Sequence, residues 1–181
     1  MENIRVQIDA AKIFLIGMMG SGKTSVGLIL SRILGLPFFD TDELIGVDSY
    51  FDNHNMDKFR LEEINQIDKI IQKNGNYIIS VGGGAVLSDK NREILSQYPC
   101  FFLQASIDTL INRIKNQNIN RPLIKFMKDK SIDREFFIKL YNERKSYYLD
   151  LADFIINTDN LNILNTVMSI NNTIINHEII N

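Results

Sequence analysis

Residues 17–24, Gly-Met-Met-Gly-Ser-Gly-Lys-Thr, constrain this chain more than any other stretch of it. They match G-x-x-x-x-G-K-[ST], a spacing in which glycines let successive backbone N–H groups converge on phosphate oxygens. The context is the one the mechanism requires. A β-prone run, KIFLI at 12–16, precedes the motif, and residues 24–34 follow it with Val26, Ile29, Leu30, Ile33 and Leu34 at helical spacing. Strand, glycine loop and helix in that order put an anion at a helix N-terminus, where the dipole favours it. Gly20, Ser21, Gly22, Lys23, Thr24 and Ser25 are the expected phosphate-binding residues, with Lys23 on the β and γ phosphates and the Thr24 hydroxyl on Mg²⁺. An ordinary glycine-rich turn is the plainer alternative, and the flanking pattern argues against it.

Composition narrows the partners. The 181 residues are 45% hydrophobic and 23% charged, which suits one soluble globular domain spanning 1–181. A net charge of -2 gives no basic excess for nucleic acid or a membrane surface. No apolar stretch approaches the roughly 20 residues of a spanning helix. The short apolar run after Lys12 reads as a strand and not as a signal peptide, because Asp9 interrupts the charged region ahead of it. The single Cys100 cannot form an intrachain disulfide, and no Cys/His cluster has zinc spacing, which fits a reducing cytoplasm.

The rest of the chain alternates strands and helices. Residues 37–40 (PFFD) read as a second strand after a helix closed by Gly35, 77–81 (YIISV) as a third, 100–103 (CFFL) as a fourth and 153–157 (DFIIN) as a fifth. Residues 42–73 read as a helical insertion with a polar loop near 52–55 and apolar positions at Phe59, Ile64, Ile67, Ile70 and Ile71. Helices are predicted at 89–97, 107–114, 132–149 and 161–175, the last through Leu164, Val167, Met168 and Ile175; the Asn- and Lys-rich stretch 115–130 reads as a mobile loop. This pattern predicts a three-layer α/β sandwich around a mostly parallel sheet, with ligands beyond the carboxyl ends of the strands.

Asp40 and Asp42 close the second strand. If the backbone stays extended, residues two apart point to one side, and both carboxylates face the transfer site. One could then hold Mg²⁺ and the other orient an attacking hydroxyl or accept its proton. The alternative is that they cap the next helix, for which Asp42 is a suitable N-cap.

Beyond these motifs the chain resembles the shikimate kinases over about residues 12–160. The phosphate loop is followed by Phe39-Asp40-Thr41-Asp42, similar to the family's D-[ST]-D, and by Phe59-Arg60-Leu61-Glu62-Glu63, similar to F-R-x-x-E. Then come Gly82-Gly83-Gly84, similar to its G-G-G motif, Arg121-Pro122-Leu123, similar to the R-P-L of its lid, and Asn142-Glu143-Arg144 with Tyr147, Ala152 and Asp153, similar to its last substrate-binding helix.

The resemblance implies a P-loop fold of the nucleoside-monophosphate-kinase type, with five parallel strands in the order 2-3-1-4-5. It implies ATP- and Mg²⁺-dependent phosphorylation of the 3-hydroxyl of shikimate in aromatic amino-acid biosynthesis, by a cytoplasmic monomer without nucleic-acid or membrane partners. Arg60 and Arg144 match the arginines that hold the substrate carboxylate, and Glu63, three residues from Arg60 on a helix, can hold that guanidinium in place. Asp42 matches the candidate base, Asp40 the aspartate near Mg²⁺ beside Thr24, and Gly82, Gly83 and Gly84 the substrate turn. Arg121 matches the cation that the lid, about 115–130, brings to the transferring phosphoryl. Lys23, Asp42 and Arg121 are thus the expected catalytic set. Two positions depart from the pattern: Ile114 stands where an adenine-stacking arginine is usual, with Arg113 beside it, and Ser146 stands where a proline is usual. A kinase of another polyol acid such as gluconate, and a nucleotide-binding regulatory module, are the rival readings.

Overall fold

The computed structural model describes residues 11–46, 56–116 and 132–180. Its elements run β1 (Lys12–Ile16), α1 (Lys23–Leu34), β2 (Phe38–Asp40), α2 (Thr41–Ile45), α3 (Met56–Ile71), β3 (Tyr77–Ser80), α4 (Asp89–Leu95), β4 (Cys100–Gln104), α5 (Ile107–Lys115), α6 (Arg134–Leu151), β5 (Phe154–Asn157) and α7 (Ile163–Asn176). A short 3₁₀ turn, Ala85–Leu87, lies between β3 and α4.

All five strands are parallel, in the order β2-β3-β1-β4-β5. That is the expected sheet. β1 is central and buried along its whole length, so its alternating side chains seed two cores. Phe14 and Ile16 join Ile79, Phe102, Ile67 of α3 and Tyr148 of α6 on one face. Ile13 and Leu15 join Phe101, Val26 and Leu30 of α1, and Val167, Ile170 and Ile174 of α7 on the other. Each such side chain contributes about 1.5–3 kcal/mol on burial. A sheet covered on both faces has one free rim where strands end and loops begin, and there the register sets Asp40 of β2 against Ser80 of β3, and Leu15 of β1 against Ser80. The phosphate loop, the Asp40–Asp42 corner and the triple glycine therefore emerge side by side.

Element bounds agree with the sequence pattern to within about two residues, but α7 is out of phase. Leu164, Met168 and Ile175, expected inward, are exposed, and Ile33 of α1 is also half-exposed. The buried face of α7 is Thr166, Val167, Ile170 and Ile174. The apolar stripe of this helix is wider than the face its neighbours cover, so Leu164, Met168 and Ile175 lie on the uncovered edge of the stripe. Among the described residues no helix is long and apolar enough to cross a membrane.

Candidate active site

The phosphate loop leaves β1 and turns into α1 through Gly17, Gly20 and Gly22, all at positive φ. At Gly20 the requirement is double: φ is 82°, and a Cβ there would lie 2.9 Å from the Leu110 carbonyl and the Ile114 side chain. Lys23, buried, donates from Nζ to the carbonyls of Gly17 at 2.9 Å and Met18 at 3.2 Å, so its ammonium is centred in the loop. The Ser21 hydroxyl is buried in the same loop with no hydrogen-bond partner among the described residues.

Thr24 and Asp40 meet across the site. The threonine hydroxyl donates to Asp40 Oδ2 at 2.6 Å, while Oδ1 accepts from the backbone N–H of Asp42 at 3.0 Å. Asp40 is thus both the N-cap of α2 and a neighbour of the first turn of α1. The capping alternative holds with the residue corrected: Asp40 caps, and Asp42 sits in the first helical turn. The extended-strand argument for the pair fails, because β2 ends at Asp40. Asp42 still faces the site by another route, since its Oδ1 lies 2.6 Å from where a Gly82 Cβ would be. Between the two, Thr41 turns inward, is fully buried, and accepts from the Gly82 N–H at 3.0 Å. That bond ties the aspartate corner to the glycine turn, and Thr41 was not foreseen as a site residue.

The glycine turn owes its composition to its neighbours. A Cβ on Gly82 would lie 2.6 Å from Asp42 Oδ1 and from Glu63 Oε1, and one on Gly84 would lie 2.6 Å from Arg60 Cζ. A Cβ on Gly83 would lie 3.3 Å from the Gly17 carbonyl oxygen and the Met19 nitrogen of the phosphate loop. Arg60 donates to Glu63 Oε2 at 2.7 Å, as expected. This is not a surface pair. Glu63 is wholly buried, with no hydrogen-bond partner for Oε1 among the described residues, and burial, opposed by Arg60 and aided by the nearby Asp42, raises its carboxyl to about 7.

Arg144 reaches the phosphate loop from α6 and is 2% exposed. Its Nη1 lies 3.9 Å from Met18 Sδ, and its Nε is buried with no hydrogen-bond partner among the described residues. Burial, with Arg60 close by, pulls it below the usual guanidinium value. Among the described residues it makes no ion pair. A buried cation that lacks its own counter-charge is set up for an anionic ligand.

On the other flank of the phosphate loop lies a cavity of about 650 Å³, lined by Gly20, Gly22, Ser25, Arg113, Thr158 and Asn162 among others. Arg113 donates to the Thr158 hydroxyl at 3.0 Å and to its carbonyl at 2.6 Å. Ile114 is buried against Gly20. Of the two candidates it is therefore Arg113 that lines the cavity. Arg121 and the stretch 117–130 lie outside the described residues, as do 47–55 of the helical insertion.

Residues 19–175 match the shikimate kinase family. The chain belongs to that family. The shikimate kinase of Chromobacterium violaceum is 36% identical to it, the match spanning 85% of this chain and 84% of that one. The structure is similar to that of the Acinetobacter baumannii shikimate kinase solved with shikimate, with a TM-score of 0.81, 25% identity, and coverage of 93% of this chain and 95% of that one. A gluconokinase from Sinorhizobium meliloti, at 15% identity and a TM-score of 0.58 over 94% of this chain and 97% of that one, shares the fold. As a shikimate kinase family member the chain is an enzyme, a phosphotransferase with ATP as co-substrate.

Proposed function

We propose that this site transfers the γ-phosphoryl of ATP to the 3-hydroxyl of shikimate with the residues in the following roles. The triphosphate lies along Gly20–Ser25 with Lys23 on the β and γ oxygens, and the base enters the cavity beside Arg113 and Thr158. Backbone N–H groups and the lysine act on charge that spreads over the phosphoryl oxygens, so their value is greatest in the transition state. Thr24 Oγ1 and Asp40 Oδ2 are two hard oxygen donors in contact, one neutral and one anionic, and suit Mg²⁺ beside the phosphates. A divalent cation held by these two oxygens would supply charge neutralisation for the phosphates.

The acceptor's carboxylate lies between Arg60 and Arg144, and its ring hydroxyls face Asp42 and the Gly82–Gly84 turn. Asp42 orients the attacking hydroxyl and takes its proton as the bond to phosphorus forms. The observation that carries this reading is Arg144: a buried guanidinium with an unpartnered Nε beside the phosphate loop is matched to a small carboxylate. The R-P-L match supports Arg121 as a further cation on the phosphoryl, carried by a lid at 115–130, and the F-R-x-x-E match supports 42–73 as the acceptor-binding insertion of one domain spanning 1–181. A monomer in the cytoplasm completes the reading.

The deciding experiment is ADP release with ATP and Mg²⁺ and either no acceptor, shikimate or gluconate. Release that depends on shikimate and not on gluconate is expected. Equal rates with all three overturn the acceptor assignment and leave the nucleotide site alone.

A further inference from the structure

The Gly82–Gly84 turn runs directly into the 3₁₀ turn Ala85–Leu87, and backbone bonds join the two. The Ala85 N–H donates to the Gly82 carbonyl and the Leu87 N–H to the Gly84 carbonyl, each at 3.0 Å. A shift of one turn therefore moves the other. Two consecutive side chains of α4 hold this segment. Asn91, fully buried, donates from Nδ2 to the Ala85 carbonyl at 3.0 Å, and Arg92 donates from Nη1 to the Val86 carbonyl at 2.7 Å.

Arg92 also reaches a second element. Its Nη2 pairs with Asp89 on its own helix, and its guanidinium carbon lies 4.3 Å from the centre of the Tyr147 ring on α6. At that distance a planar cation is attracted by the ring face. Asp89 is 94% exposed, so the ion pair is weak and the carbonyl and the ring set the direction of the fork. Tyr147 stands three residues after Arg144 on the same helix, a spacing that makes the two neighbours on adjoining turns.

The glycine end of the segment is held by other groups: Gly82 donates to the Thr41 hydroxyl, and the Tyr148 hydroxyl donates to the Gly83 carbonyl. Arg92 ties the far end to α6. What a slack segment would change is the spacing of the acceptor groups, since Gly82 abuts Asp42 and Glu63 and Gly84 abuts Arg60, whereas Arg144 belongs to α6. The phosphate loop is closed by its own bonds, Lys23 to the Gly17 and Met18 carbonyls and the Ser21 N–H to that of Met18.

We propose that Arg92 is a positioning residue for the acceptor, its guanidinium bracketing the Val86 carbonyl and the Tyr147 ring so that the glycine turn, with Asp42 and Arg60 against it, keeps a fixed spacing from Arg144. This rests on the reading of Arg60, Arg144 and the glycine turn as the acceptor site, and the test separates the two.

Arg92→Leu, Tyr147→Leu, Tyr147→Phe and the double leucine variant are compared with the parent in the full chain, with shikimate and ATP varied in turn. Arg92→Leu is expected to raise KM for shikimate about fivefold, the scale on which residues that touch no ligand alter its binding, and to leave KM for ATP within twofold. Tyr147→Leu removes the ring face and should raise KM for shikimate about threefold; Tyr147→Phe keeps it and should match the parent. Because the two side chains act through one contact, the double variant should be no worse than Arg92→Leu alone. A merely structural bracket would lower the melting temperature and leave KM for shikimate unchanged, and that result in Arg92→Leu overturns the proposal. An equal rise in KM for ATP, or multiplied losses in the double variant, overturns it as well. If Arg92→Leu does not fold, the two Tyr147 variants decide, and equal KM for shikimate in both counts against the proposal. ADP release by the parent that does not depend on shikimate defeats the acceptor reading and this proposal with it, whereas a shikimate-dependent parent with an unchanged Arg92→Leu defeats the proposal alone.

Discussion

Gly84 and Arg60 compete for one space: a Cβ on Gly84 would lie 2.6 Å from Arg60 Cζ, inside the guanidinium's contact distance. Gly84 has φ of -102°, a conformation open to any residue, so the demand for glycine here is steric and comes from the arginine. Gly84→Ala should therefore fold normally and push the Arg60 fork off Glu63. The expected result is a rise of at least about tenfold in KM for shikimate, the scale of a lost charged hydrogen bond, with KM for ATP within twofold. Steady-state kinetics with each substrate varied in turn will show it; equal changes in both would mean that the turn serves the phosphate loop instead.

Glu63 gives a pH signature. Its carboxyl is raised by burial from 4.5 to about 7, so between those values the folded chain holds a proton that the unfolded chain has lost. The stabilisation from that proton is complete below about pH 4.5 and disappears as pH rises through about 7, an amplitude of roughly 3 kcal/mol at 1.36 kcal/mol per unit. Glu63→Gln, neutral at every pH, should remove this slope. Denaturant unfolding from pH 5 to 8 should show the stability difference, parent minus variant, falling with pH; a flat difference would show that Glu63 stays ionised throughout.

Much of this site was legible in the sequence because motifs report backbone geometry, and backbone geometry recurs. The phosphate loop, the aspartate corner and the triple glycine each follow a strand, and a parallel sheet brings strand ends together. Glu63 was legible twice over: as a partner three residues from Arg60, and as an acid in phase with Phe59, Ile67 and Ile70, the buried face of α3. Tyr148 and Thr41 were harder to see. Their roles depend on which carbonyl or N–H lies across a gap of dozens of residues, Gly83 for one and Gly82 for the other, and no local pattern encodes that. The phase of α7 was illegible for a different reason. The apolar stripe of that helix is wider than the face that α1 and β5 cover, so periodicity finds the stripe, and only that packing chooses Val167, Ile170 and Ile174 within it over Leu164, Met168 and Ile175.

The Thr24–Asp40 contact makes a separable prediction about the metal. Thr24→Val keeps shape and removes the hydroxyl that we assign to Mg²⁺, so kcat should fall about 100-fold, the scale of one lost electrostatic contact in a transition state, and more Mg²⁺ should be needed for saturation. Thr24→Ser keeps the oxygen and should stay within a few-fold of the parent. Asp40 retains its bond to the Asp42 N–H in both variants, but Thr24→Val leaves Asp40 Oδ2 without the hydroxyl, so its melting temperature should fall while that of Thr24→Ser should move little. A titration of rate against Mg²⁺ at saturating ATP distinguishes the cases, and an unchanged Mg²⁺ requirement in Thr24→Val would take the hydroxyl out of the metal site.

The nucleotide flank turns on which of two adjacent residues faces the base. Arg113 is pinned by both the hydroxyl and the carbonyl of Thr158, and its guanidinium forms a wall of the cavity. Ile114 is 5% exposed and fills the space under Gly20. A planar cation fixed in that wall can stack on a purine, a contact worth about 1–2 kcal/mol when desolvated, so Arg113→Ala should raise KM for ATP about tenfold and leave KM for shikimate nearly unchanged. Ile114→Arg should not improve ATP binding, although it puts an arginine at the position usual in the family: the new charge would be buried beneath the phosphate loop, and the expected outcome is a lower melting temperature with weaker ATP binding. Thr158→Val, which removes one of the two anchors, should fall between the parent and Arg113→Ala in KM for ATP. If Arg113→Ala binds ATP as the parent does while Ile114→Arg binds it more tightly, the assignment is reversed and the base lies against residue 114.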